Sequence, residues 1–165
     1  ELVIPNIAKL LGLSYRFVII GDGGAISLLR TAIQREGVSN VELLPPVDRS
    51  ELIKYYLDAD IMFLHLNDVP AFRRVLPSKI FEYTALRKPI VAGLSGYSAQ
   101  FLRDNIPYAS LFSPGDYKGA ISCILDANNS SVSQAVLSNF VMKYSRVTIM
   151  DKMSNELINI MEHTK

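Results

Sequence analysis

Apolar positions along this chain change period repeatedly, and the changes mark out its elements. From Glu1 to Leu11, Ile4, Ile7, Ala8 and Leu11 recur at helical spacing, and Gly12 ends the run. Tyr15 to Ile20 is a β-branched apolar run without alternation, as in parallel strands buried on both faces. Gly21-Asp22-Gly23-Gly24 follows, then a helix over Ala25 to Glu36 that Gly37 stops. Val41 to Leu44 predicts a second strand, ended by Pro45-Pro46. Ser50 is expected to cap a helix through Leu57, and Asp60 to Leu66 forms a third strand. After the loop Asn67 to Leu76, a short helix opens at Pro77 and Ser78, and a fourth strand runs from Pro89 to Gly93. Tyr97 to Asp104 reads as a helix, Ser110 to Ser113 as a short strand and Asp116 to Ala127 as a helix. Asn128 to Ser131 breaks the pattern, and Val132 onward reads as one or two helices.

Strands alternating with helices at this spacing predict right-handed βαβ units and an α/β fold. The expected architecture is a Rossmann-like, three-layer parallel sheet flanked by helices. Such an order places the strand before the first helix at the sheet centre, and that strand is not in this sequence. The chain opens at Glu1 inside a predicted helix, so a longer protein is expected.

Composition narrows the function classes. With 165 residues, 49% hydrophobic and 20% charged, the chain is an ordinary globular domain with room for a real core. A net charge of +1 gives no electrostatic case for nucleic acid or for an anionic membrane. Cys123 is the single cysteine and reads as a small buried hydrophobe on a helix, in a reducing compartment. No apolar run approaches the ~20 residues of a membrane-spanning helix. The two histidines, His65 and His163, are far apart and no Asp-x-Asp occurs, so no metal cluster is expected. His65, at a strand end, is read as a hydrogen-bonded histidine rather than a base.

The candidate chemistry lies in Leu76 to Gly93, LPSKIFEYTALRKPIVAG. Ser78, Lys79 and Glu82 fall on or near one face of the short helix, while Ile80, Phe81, Thr84 and Ala85 cover the other. A lysine in the first turn opposes the helix macrodipole by about 0.3–1 kcal/mol, which an anion bound there would relieve. Lys79, the Ser78 hydroxyl and the free N–H groups of the helix start, in the segment Pro77 to Ile80 whose proline lends none, therefore describe a phosphate site. Glu82 could accept hydrogen bonds from the vicinal hydroxyls of a ribose; an ion pair with Lys79 or Arg74 is the plainer alternative. Arg73 and Arg74, in the preceding loop, offer guanidinium forks for phosphate oxygens, or serve as surface charge. Arg87 and Lys88 are favourable partners for the helix C-terminus.

The segment PSKIFEYTALRKPIVAG resembles the donor-binding segment of retaining GT-B glycosyltransferases of the "glycosyl transferases group 1" class, in the branch that builds bacterial surface polysaccharides. The resemblance covers nearly the whole chain and implies the C-terminal half of a GT-B fold. Residues 1–131 would then bind the nucleotide sugar, and helices in 132–165 would pack on it and toward the enzyme's own N-terminal domain. The implied activity is transfer of a sugar from a nucleoside diphosphate sugar, UDP rather than GDP, to a glycan or lipid-linked acceptor. No cofactor, metal or nucleic acid is implied. The setting would be cytoplasmic, at most peripheral to the plasma membrane through the other half.

By the same resemblance Gly21, Asp22 and Gly23 match the GDG loop beneath the nucleotide, and the backbone near Val47 reads the base. Lys79, with Arg74 as helper, would stabilise the leaving diphosphate. Three departures stand out: Pro45 where glycine is usual, Arg74 where the class carries a sugar-contacting glutamate, and Arg87 where a glycine often precedes Lys-Pro. A non-glycine residue in a left-handed cap there would cost about 1–2 kcal/mol. Tyr144-Ser145-Arg146 resembles the Y-S-R that opens the family's last helices. Two other readings fit the pattern, a non-catalytic module of the same fold and an enzyme like the UDP-sugar epimerases.

Overall fold

In the computed structural model, residues 3–128, 132 and 134–163 are described. Most of the break expected at Asn128 to Ser131 lies outside them. The elements follow the predicted order: α1 Val3–Leu11, β1 Phe17–Ile20, α2 Ile26–Glu36, β2 Val41–Leu44, α3 Arg49–Asp58, β3 Met62–His65, α4 Lys79–Ala85, β4 Ile90–Gly93, α5 Gly96–Asn105, β5 Ser110–Phe112, α6 Tyr117–Ala127, α7 Gln134–Tyr144 and α8 Arg146–His163. Single 3-10 turns occupy Gly12–Ser14 and Phe72–Arg74.

All pairings are parallel, but the strands form two sheets rather than one, β1-β2 and β3-β4-β5. Among the described residues, no strand fills the central place that a Rossmann-like order reserves between β1 and β3. This corrects the reading of β1 as a strand buried on both faces. None of its residues is buried, and Val18 is 38% exposed. The reason is that β1 is bonded along one edge only.

β4, bonded on both edges, is buried throughout. Its alternating side chains divide the interior. Ile90 and Ala92 join Ile80, Leu102, Ile106 and Phe140 on the side of α4, α5 and α7. Val91 joins Val3, Ile7, Phe112 and Ile124 on the side of α1 and α6. Helices on both faces of parallel strands are the predicted three layers. At the end of α1, the Asn40 amide donates to the Ala8, Gly12 and Tyr15 carbonyls, which fixes the chain between α1 and β1.

Two capping assignments differ from expectation. Asp48, not Ser50, caps α3: it accepts the Glu51 N–H at 2.9 Å, and the Ser50 hydroxyl donates to it at 2.7 Å. Lys88 serves the C-terminus of α3 rather than that of α4, donating to the Leu57 carbonyl at 2.5 Å and to that of Ala59. Arg87 does adopt the left-handed conformation, at φ 59°.

The C-terminal helices differ from each other. α7 buries Leu137 and Phe140, and Tyr144 at its end packs on Phe81, Phe101 and Phe140 and donates to Asn105. Ser145 then caps α8 through the Thr148 N–H. α8 buries none of its 18 residues.

Candidate functional site

α4 presents two chemically opposite faces. Ile80 and Thr84 are fully buried, with the Thr84 hydroxyl returned to the Ile80 carbonyl. The Ile80 side chain is therefore core, and only its backbone could meet a ligand. That N–H is already bonded to the Pro77 carbonyl, and those of Phe81 and Glu82 to the Ser78 carbonyl. Ser78 is exposed and its side chain makes no capping bond.

On the open face, Lys79 Nζ donates to Glu82 Oε2 and to the Tyr56 hydroxyl, both at 2.8 Å. The Tyr56 hydroxyl lies 3.4 Å from the same Glu82 oxygen, closing a three-membered cluster. The ammonium also sits 5.4 Å from the centre of the Tyr56 ring. Partial burial works against the Lys79 charge, but the bonds to Glu82 and Tyr56 outweigh it and hold its pKa above the usual lysine value. Burial first, then the Tyr56 neighbour, push the Tyr83 phenol up to about 12, so it stays neutral beside the cluster. The arrangement is an ammonium held in its charged form by its partners, next to a carboxylate and half open to solvent.

Tyr56 is the member that the sequence did not disclose. In ELIKYYLD it reads as an apolar-face position of α3, one turn after Leu52. Its meeting with α4 is a tertiary event that no local pattern signals.

The two loop arginines have different fates. Arg73 Nε and Nη2 donate to the two Asp68 oxygens, each at 2.9 Å, and the Ser95 hydroxyl donates to Asp68 as well. The fork expected on phosphate oxygens is thus occupied by a carboxylate. Hydrogen bonds from Arg73 and then Ser95 hold the Asp68 pKa below the ordinary range. Arg74, at the end of the same turn, is exposed and has no ion pair among the described residues. Gly96 is required where this loop docks on α5: its φ is +64°, and a Cβ there would strike the Arg73 carbonyl.

The second group of predicted residues lies at the carboxyl ends of β1 and β2. Gly21, at φ +141°, donates its N–H to the Leu44 carbonyl at 3.0 Å. Gly21 and Asp22 border a cleft of about 230 Å³ walled by Ile26, Arg30, Leu43 and Pro45. Gly23 has open space where a Cβ would stand. Val47 is half-buried beyond the cleft, immediately before the Asp48 cap. Cleft and α4 cluster share no residue.

His65 performs a structural task. Its Nε2 accepts the Gly115 N–H at 3.1 Å and its ring stacks on Phe112. Among the described residues, no group of three His, Cys, Asp or Glu side chains could hold a metal ion, and no helix is long and apolar enough to cross a membrane.

Parallel strands followed by helices, with polar residues gathered beyond the strands' carboxyl ends, define the Rossmann-like type of α/β domain. The profile of the family described as "Glycosyl transferases group 1" matches residues 1–128, and the chain belongs to that family. It is 27% identical over 124 residues to the D-inositol 3-phosphate glycosyltransferase of Mycolicibacterium vanbaalenii, a match covering 72% of this chain and 26% of that protein. Among solved structures it is similar to HepE (Alr3699) of Anabaena in complex with UDP-glucose, with a TM-score of 0.76 at 17% identity. That match covers 95% of this chain and 44% of HepE. The chain thus spans about a quarter of the curated relative and under half of HepE. The likeness to HepE establishes the fold, that of a GT-B C-terminal Rossmann-like domain.

Proposed function

We propose that this chain is the donor-binding part of a glycosyltransferase that moves a sugar from a nucleoside diphosphate sugar, UDP in preference to GDP, to a glycan or lipid-linked acceptor. The carrying observation is the Lys79–Glu82 pair, held 2.8 Å apart on the open face of α4. Departure of a nucleoside diphosphate develops negative charge, and fixed cations that meet it lower the barrier. Lys79 keeps its proton across the physiological range, and Arg74 is a second cation one loop away. Glu82 is the acceptor for ribose hydroxyls, and the Gly21–Gly24 loop with the Val47 backbone takes the base. The UDP-glucose in the HepE structure supports the choice of nucleotide. Retention of configuration and a role in bacterial surface polysaccharide synthesis follow from the resemblance in Pro77 to Gly93.

α8 supports a contact with a further domain of the same enzyme. Its exposed Val147, Met150, Met153, Leu157, Ile160 and Met161 are the apolar side chains that such a contact would cover.

Calorimetric titration of the protein with UDP and GDP tests the reading. UDP is expected to bind in preference, with Lys79→Ala and Glu82→Ala each weakening it about tenfold or more, the scale of a lost hydrogen bond to a charged group. Equal affinity in both variants and the parent would overturn the assignment.

A further inference from the structure

We infer that Tyr56 is a positioning residue for donor binding: its hydroxyl, together with Glu82, aims the remaining N–H of Lys79 at the diphosphate. The inference rests on the assignment of Lys79 to that group and adds a residue from a different helix.

An ammonium has three donors in tetrahedral array. Two of those on Lys79 are engaged, one by Tyr56 and one by Glu82, each at 2.8 Å. With two directions fixed, the third is fixed as well. The Lys79 side chain is 40% exposed, so this third donor is open to a ligand. With Glu82 alone, the ammonium could rotate about a single hydrogen bond, and the carboxylate would draw it along α4. Tyr56 removes that freedom before the ligand arrives, which lowers the ordering cost of binding.

Tyr56 is itself held rigidly, as a positioning group must be. Its ring meets Tyr83 edge-on, with centroids 5.6 Å apart and planes at 87°. The next residue, Leu57, has its carbonyl clamped by Lys88, from the segment joining α4 to β4. α3 therefore cannot shift along its axis without breaking that clamp. As a hydroxyl rather than a carboxylate, it orients Lys79 without bringing a second acidic side chain against an incoming phosphate. A second carboxylate at the same place would orient equally well and repel the ligand.

The test compares UDP with uridine, which lacks the diphosphate, using Tyr56→Phe. That variant keeps the ring and its contact with Tyr83. UDP affinity is expected to fall about 5- to 20-fold, in line with losing one hydrogen bond to a charged group at a half-open site. Uridine affinity should change less than about twofold, a loss of under half a kcal/mol. In a Lys79→Ala background, Tyr56→Phe should have no further effect on UDP, because the residue acts through the lysine. Equal losses for UDP and uridine, or an undiminished loss in the Lys79→Ala background, would overturn the inference and leave Tyr56 a packing residue. If Lys79→Ala itself leaves UDP binding unchanged, the donor assignment fails first, and this inference falls with it. Thermal unfolding of Tyr56→Phe serves as the control for fold.

Discussion

Asp68 and Arg73 face each other across the loop that follows β3 and share two parallel hydrogen bonds of 2.9 Å. Adjacent arginines in one turn have therefore been given separate work. Arg73 closes the loop onto α5, and Arg74 is left toward solvent. On the proposed donor role of Arg74, Arg74→Ala is expected to lower UDP affinity about 3- to 10-fold, with the melting temperature unchanged. Arg73→Ala and Asp68→Ala should instead resemble each other, altering loop order more than affinity. Calorimetry with parallel melting curves on the three variants separates the roles.

Arg87 holds a left-handed conformation at φ 59°. A non-glycine residue there costs about 1–2 kcal/mol, while glycine adds about 0.5–1 kcal/mol of unfolded-state entropy. The difference favours glycine. Arg87→Gly is expected to stabilise the protein by about 0.5–1 kcal/mol in urea unfolding, with nucleotide affinity unaffected.

Gly93 ends β4 directly beneath two rings. A Cβ there would come within 2.5 Å of His65 Cδ2 and 2.6 Å of the Phe112 ring. Both rings are confined, His65 by the Gly115 N–H and Phe112 by the core. Gly93→Ala should destabilise by about 1–3 kcal/mol, the range for overpacking, read as a lower urea midpoint at unchanged slope.

The pH response follows from shifts of opposite sign. The Asp68 and Asp48 pKa values lie below their unfolded values, so their stabilising effect is present above about pH 3.9 and is lost as pH falls through the folded values. The Lys79 pKa lies above its unfolded value, so its effect is complete below about pH 10.4 and is lost as pH rises through the folded value. Melting temperature should therefore be level between about pH 5 and 9 with respect to these groups. Asp68→Asn should flatten part of the acid limb and leave the alkaline limb unchanged.

The order of elements was legible because each strand is a short, mainly apolar run and α2 ends at a glycine, Gly37. The polar face of α4 was legible for the same reason, since 3.6-residue periodicity alone places Ser78, Lys79 and Glu82 together. What escaped depended on choices between neighbours or on partners distant in sequence. Asp48 and Ser50 are both good caps, and only the backbone path at Asp48, extended at ψ 165°, selects one. Arg73 and Arg74 look alike until Asp68 and Ser95 are brought to one of them. Lys88 finds Leu57, 31 residues away, and Tyr56 finds Lys79, 23 residues away. Division of the strands into two sheets is the counterpart of the central strand that the sequence order lacks, although hydrophobic runs alone identify strands and do not state who pairs with whom.

β4 carries a consequence for how this domain opens. Ile90 and Ala92 belong to one layer of the interior and Val91 to the other, on a single four-residue strand flanked by β3 and β5. Neither layer can be wetted without pulling on the strand that completes the other, so the two behave as one cooperative unit. Amide protons along β4 should exchange last, and at a single rate set by global unfolding. Those of β1 and β2, whose residues are nowhere fully covered, should exchange earlier through a smaller opening. The α4 cluster stands on the slow side of that divide, since Ile80 is anchored in the β4 layer.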